Sequence, residues 1–289
     1  MRKIVYGVAV SLAMSLMAVA PVLAEEITTE QDTETVTEVV VRSLENCSYS
    51  NVKDLVYAGK RTLLKPEIKD GEITLVEGQD YECSYQNETK VGEATLTVTG
   101  IGNYSGTMTF NYNITPKKIK AKVVVKKKSF PYAKKKKYKP EIVVKDGKTV
   151  IPKSNYKVTY PKTKGIGTYT IKVRLKNNYR GTGKGKFQLV PYNTSIAKLT
   201  GTKKGFTILW KAMIGEKFNN FTGYEVVCST EKNFKHKKSY KCSKSFRLIH
   251  AGKLKSKKKY YVKMRTFKIE GKKKYYFSSW SKVKTVKTK

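Results

Sequence analysis

The chain has 289 residues, with 60 Lys and Arg against 22 Asp and Glu, and a formal net charge of +38 at neutral pH. Hydrophobic residues make up 39% and Tyr alone numbers 20, enough to bury small cores and to exclude global disorder. Two His cannot supply a three-His zinc site and four widely spaced Cys do not form a zinc ribbon, so neither a metal nor a cofactor is expected.

Arg2 and Lys3 precede an apolar run from Ile4 to Ala20, broken by Pro21 and followed by Val22-Leu23-Ala24. Small side chains at the −3 and −1 positions complete the pattern of a secretory signal peptide over residues 1–24. The run is shorter than the roughly 20 residues that cross a bilayer. No second run of that length follows, so no transmembrane segment is expected after cleavage. The mature chain is expected outside the cell, released or held at a cell wall by non-covalent contacts. Residues 25–44 are acidic and rich in Thr and read as a solvated spacer. The rival reading makes Thr37 to Val41 a first strand.

The middle of the chain matches itself at an offset of 75 residues. Tyr57-Ala58 recurs as Tyr132-Ala133, Tyr81 and Tyr85 as Tyr156 and Tyr160, and Gly92 as Gly167. Asn103-Tyr104-x-Gly106-Thr107 recurs as Asn178-Tyr179-x-Gly181-Thr182, and Pro116 as Pro191. The steps Lys65-Pro66-Glu67-Ile68 and Asp70-Gly71 recur at offsets of 74 and 76, which a short indel on each side of a loop explains. This is a duplicated unit. Thr95–Thr99 and Thr170–Arg174 alternate with the period of a half-buried strand, and Asp-Gly and Asn-Tyr-x-Gly are turn signals. Sustained helical periodicity is missing, so the chain reads as all-β: small antiparallel sandwiches in tandem.

The pattern running from Tyr57 to Thr107 resembles the bacterial immunoglobulin-like repeats that tile surface and secreted proteins of Gram-positive anaerobes. The resemblance implies spacer and display modules without catalytic residues, at residues 45–116 and 117–192. The second copy departs from the pattern: Gly59 becomes Lys134, and Gly100-Ile101-Gly102 becomes Leu175-Lys176-Asn177. Residues 193–289 follow another pattern. Phe206–Trp210, Gly223–Cys228 and Leu254–Thr266 read as strands, and the chain closes on Ser278-Ser279-Trp280-Ser281. This is similar to a fibronectin type III domain. The resemblance implies that Trp210 is a core Trp and that Tyr260 is a tyrosine corner, its hydroxyl bonded to the backbone. Trp280 is likewise expected to pack in the core.

Of the cysteines, Cys47 with Cys83 and Cys228 with Cys242 each fall within one expected domain, and disulfides are expected in those pairs. Four free thiols are the alternative. His236 sits among Lys235, Lys237 and Lys238, and neither His lies near a nucleophile motif, so no catalytic residues are assigned and no enzymatic activity is expected.

Charge is segregated along the chain. Residues 25–116 hold 16 acids and 7 Lys and Arg, a net of −9, while residues 117–289 hold 6 acids and 51 Lys and Arg, a net of +45. Only 7 of the 60 basic residues are Arg. Hydrated Lys point charges suit diffuse attraction to a polyanion and suit base-specific reading of nucleic acid poorly. The candidate polyanion contacts are Lys126, Lys127 and Lys128; Lys134, Lys135, Lys136 and Lys137; Lys257, Lys258 and Lys259; and Lys272, Lys273 and Lys274. Tyr138, Tyr260-Tyr261 and Tyr275-Tyr276 adjoin them and are expected to alternate into strand cores. The expected function is binding and display: the basic half docks on an anionic wall polymer of teichoic-acid type or on a host glycan. The alternative is a spacer or protein-partner module whose charge serves solubility.

Overall fold

The structure is a computed structural model that describes residues 40–271 and 273–289. The signal peptide expected over residues 1–24 and most of the spacer expected over 25–44 therefore lie outside the described residues. The fold is all-β, with tandem sandwich units; among the described residues the only α-helix is the five-residue Gly215–Asn219, beside two short 3-10 turns.

Repeat 1 begins before residue 45. Arg42–Ser43 is already a strand, running parallel to Tyr104–Ser105, and Lys117–Lys118 runs parallel to Tyr179–Arg180 in repeat 2. Both pairs keep the offset of 75, so the last residues assigned to the spacer belong to the fold. A cation–carboxylate pair locks each start: Arg42 Nη1 to Asp70 Oδ2 at 2.6 Å, and Lys117 Nζ to Asp146 Oδ2 at 2.6 Å. The Arg42 guanidinium holds the Asp70 carboxyl below its ordinary pKa by hydrogen bonding. After each parallel pair comes a glycine with positive φ, Gly106 and Gly181. A Cβ on Gly181 would lie 2.0 Å from the Ile119 carbonyl oxygen, so only glycine lets the first strand approach.

The altered turn of repeat 2 keeps its backbone. Asn177 adopts φ 57° where Gly102 adopts 63°. Asn tolerates this left-handed conformation better than most residues do. Tyr179 N–H donates to Lys176 O as Tyr104 N–H donates to Ile101 O. At the other departure the left-handed residue shifts to Lys135.

The copies differ in how their sheets join. In repeat 1, Ser48–Ser50, Glu67–Asp70 and Ile73–Thr74 form one sheet. Leu55–Val56, Thr107–Thr115, Gly92–Gly100 and Tyr81–Gln86 form another. In repeat 2 the corresponding strands form one seven-stranded sheet, because Ala121–Lys122 pairs with Gly183–Lys184. Gly183 and Gly185 stand where repeat 1 has Met108 and Phe110. A Cβ at Gly183 would lie 2.6 Å from Ala121 O, and one at Gly185 would lie 2.8 Å from Val123. Loss of two side chains thus lets the backbones pair. In repeat 1 the Phe110 ring fills that space with Tyr49 edge-on at 4.9 Å.

One apolar core runs from Leu44 to Leu189 through both repeats, with the rings of Tyr57 and Tyr179 edge to face at 5.4 Å between them. Val91 N–H donates to Asn178 Oδ1 at the same junction. Pro116 and Pro191 directly follow the last strand of each repeat, Thr107–Thr115 and Thr182–Val190.

The C-terminal unit pairs a sheet of Ile196–Thr202, Gly205–Trp210 and Leu248–Ala251 with a five-stranded sheet. The latter orders Lys238–Ser243, Gly223–Ser229, Lys259–Glu270 and Lys274–Phe277, with Lys284–Lys287 also on Lys259–Glu270. Its core is separate and centres on Trp210, Tyr224 and Phe221.

The expected disulfides are not formed: all four cysteines are free thiols. On paired strands, Cys242 lies opposite Tyr224 while Cys228 lies opposite Lys238. That four-residue offset separates their Cα atoms by roughly 13 Å along the strand, well beyond the reach of about 7 Å for a disulfide. Cys47 Sγ–H donates to Ser43 O. Cys83 sits opposite Val98 in the other sheet, beside Glu77 and Tyr85. Burial pushes the Cys83 and Cys228 thiols up to about 11.

Candidate anion-binding site

Two basic concavities emerge, one in the C-terminal unit and one in repeat 2. The larger is an 860 Å³ cleft lined by Lys235, Lys237, Lys238, Lys255 and Lys258, together with His236. Two loops build it. The first, between Gly223–Ser229 and Lys238–Ser243, is pinned by Ser229. Its Oγ–H donates to His236 O at 2.6 Å and its oxygen accepts from Glu231 N–H at 3.1 Å. His236 Nδ1 lies 2.8 Å from Glu231 Oε1. The second loop precedes Lys259–Glu270 and is pinned by Tyr260. This ring is buried, and Lys255 N–H donates to its hydroxyl at 3.1 Å. Thr288 closes the loop, accepting from Lys258 N–H. The tyrosine corner thus acts on the cleft: it sets the backbone from which Lys255 and Lys258 project.

Like charges crowd beside the cleft. The ammonium of Lys263, in Lys259–Glu270, is shifted below its usual pKa by burial first, then by Lys237 and Arg265. It lies 4.0 Å from the Phe234 ring centroid and 4.8 Å from that of Trp280. Trp280 is therefore not a core residue. It is half-buried on the outer face of the sheet, between Lys263 and Arg265, whose guanidinium lies 4.1 Å from its ring centroid. Strand alternation explains this: Tyr260, Val262 and Met264 point into the core, so Lys263 and Arg265 point out and need a ring to cover them. Trp210 is buried beside Tyr224.

The second concavity is a 420 Å³ notch in repeat 2, lined by Lys135, Lys136, Lys137, Lys139 and Lys162 over Tyr138 and Tyr160. Tyr138 is buried, and its hydroxyl donates to Pro131 O and accepts from Ala133 N–H, both at 2.7 Å.

The structure divides the lysines named from sequence. Lys135, Lys136 and Lys137 share the notch, and Lys258 lines the cleft. Lys134 and Lys257 are exposed and line neither. Lys126 is tied to Glu141 at 2.5 Å, Lys127 lies over Phe130, and Lys128 O accepts from Gln188 N–H. Lys259 lies over Tyr261, and Lys273 is exposed. Lys274 is paired with Glu270 at 2.9 Å, and Lys272 lies outside the described residues. Sequence reasoning missed Lys235, Lys237, Lys238 and Lys255 in the cleft, and Lys139 and Lys162 in the notch. The run Lys235-His236-Lys237-Lys238 was a legible signal for the first group; nothing local marked Lys162.

No protein-family model matches the chain, and no curated protein matches it. Among solved structures, it is similar to the chicken CNTN1 FN1–FN3 domains, at 12% identity over 68% of this chain and 77% of that one, TM-score 0.31. It is also similar to titin domains A168–A170, at 10% identity over 84% and 98% of the two chains, TM-score 0.27. The fold assignment rests on the strands themselves. Among the described residues, no helix is long and apolar enough to cross a membrane.

Proposed function

We propose that the chain is an extracellular, non-enzymatic bacterial protein whose basic C-terminal two-thirds dock on an anionic polymer, displaying the acidic N-terminal part. The leading polymer is a phosphate-rich wall polymer of teichoic-acid type, and a host glycan is second. One observation carries the reading. Five lysines line an 860 Å³ cleft whose two walls are held by backbone bonds to Ser229, Tyr260 and Thr288, with Glu231 the acid beside it. Like-charge crowding in a pinned cleft costs stability, and a polyanion relieves that cost by releasing its counterions on binding. A halo serving solubility alone needs no such convergence.

The test is binding of the full chain to Gram-positive walls, native and stripped of anionic polymer, across a salt series. Binding is expected only to native walls, with the logarithm of affinity falling linearly in log salt. In a K237Q/K255Q/K258Q variant that slope becomes shallower by up to roughly three units, about one per lost phosphate contact. Salt-independent binding, or equal binding to stripped walls, refutes the reading.

A further inference from the structure

Because the repeats are copies, each serves as the reference for the other. In repeat 1 the loops after Tyr57 and Tyr85 are closed together. Glu88 Oε1 takes Arg61 Nε at 2.9 Å, Thr62 N–H donates to Glu88 O at 2.8 Å, and the Arg61 guanidinium covers the Tyr85 ring at 5.7 Å. Repeat 2 keeps the ring, as Tyr160, and loses the clasp. Thr163 stands where Glu88 stood and Lys162 where Asn87 stood, at the same offset of 75. The preceding loop is one residue shorter. Tyr138 replaces the buried Leu64, and its hydroxyl takes over the backbone N–H that the Thr62 hydroxyl accepts in repeat 1. Among the described residues, no backbone–backbone bond joins these two loops in repeat 2; the Tyr132 O–H reaches across instead, donating to Lys164 O at 3.1 Å. The result is the 420 Å³ notch, and none of Lys135, Lys136, Lys137, Lys139 and Lys162 is ion-paired among the described residues.

We infer that this notch is a specific subsite for one tetrahedral oxyanion ester, a phosphate or sulfate carried on a polyol or sugar chain; the inference rests on the polyanion reading above. Three features select that chemistry. Lysines alone supply the charge, and rotatable point donors fit an oxyanion presenting several oxygens better than a planar carboxylate, which the Arg fork matches. The hydroxyls of Tyr138 and Tyr160 are committed to Pro131 O and Pro140 O, so their rings and Pro161 offer apolar wall to the carrier. The volume lies in the range of built small-ligand sites, about 300–1,000 Å³. Divergence from a closed copy, in which Glu88 pairs with Arg61, distinguishes this notch from general surface charge, because Thr163 stands in place of that acid and no acid lines the notch among the described residues.

The experiment titrates the full chain with a labelled glycerol-phosphate oligomer and, separately, with a sulfated oligosaccharide of matched charge. T163E restores the acid of repeat 1. K162N restores its neutral residue, so the test stands even if T163E perturbs folding. K184Q, at an exposed lysine on Thr182–Val190, is the control with the same change in net charge as either. T163E and K162N are expected to weaken binding roughly tenfold and K184Q less than about twofold. A loss with one oligomer and not the other identifies the source of the ester. Equal weakening by all three variants overturns the subsite and leaves diffuse docking intact. No binding by the unaltered chain to either oligomer or to native walls overturns both readings.

Discussion

Glu225→Gln is expected to destabilise the C-terminal unit by about 2–4 kcal/mol. The Glu225 residue is 8% exposed; its Oε2 accepts from Arg265 Nε at 2.6 Å and its Oε1 from Ser239 Oγ–H at 3.0 Å. Breaking a buried pair by removing one partner costs about 3–5 kcal/mol, because the other charge stays buried. Two features lower the figure here. The Arg265 side chain is 22% exposed, so water reaches part of the guanidinium. The Gln amide oxygen also still accepts one hydrogen bond. The guanidinium cannot simply swing out, since it lies 3.6 Å from the Phe277 ring centroid and 4.1 Å from that of Trp280. Urea unfolding followed by Trp fluorescence isolates this unit in the full chain, because both tryptophans of the protein, Trp210 and Trp280, lie in it. The E225Q/R265M pair should recover about 1–3 kcal/mol relative to the sum of the single variants. A loss below about 0.5 kcal/mol for E225Q, or strict additivity of the pair, refutes the account of the sheet's outer face.

Two further outcomes follow from the thiols. Burial raises Cys228 from 9.0 to about 11, so the folded state holds its proton longer than the unfolded state does. That stabilisation is fully present below about pH 9 and is lost as pH rises toward 11, a change of about 3 kcal/mol. Lysines titrate in the same range, so the measurement is the difference in pH slope of unfolding between the native chain and C228A; parallel slopes refute it. Thiol titration in denaturant without reductant should count four reactive thiols, with Cys228 the slowest in the folded state, since it is 1% exposed. A count of zero or two restores a disulfide.

Much of the fold was legible because duplication repeats its own punctuation. Tyr57 and Tyr132, Gly106 and Gly181, and Asp70 and Asp146 mark the same strand ends twice, and period-two alternation marks the strands between them. The backbone bond of the Tyr260 hydroxyl, which the fibronectin type III resemblance implied, is made with Lys255 N–H, five residues away in the same loop and strand. Trp280 was misread because a Trp in a strand-rich tail is usually core; alternation puts Lys263 and Arg265 on the outer face, but nothing local shows that Trp280 folds over them. The disulfides were misread because sharing a domain says nothing about register, and a four-residue offset between paired strands separates the thiols.

The sequence by itself determined the β class, the duplicated unit and the segregation of charge, because alternation, turn residues and composition are local quantities. Tertiary structure alone decided which charges meet. Lys235 and Lys255 are brought to one cleft by two loops of adjacent strands, and Lys136 and Lys162 to one notch by the loops after Tyr132 and Tyr160. Charge convergence depends on side-chain direction and on which loops fold back together, and both are fixed by sheet register rather than by any spacing along the chain.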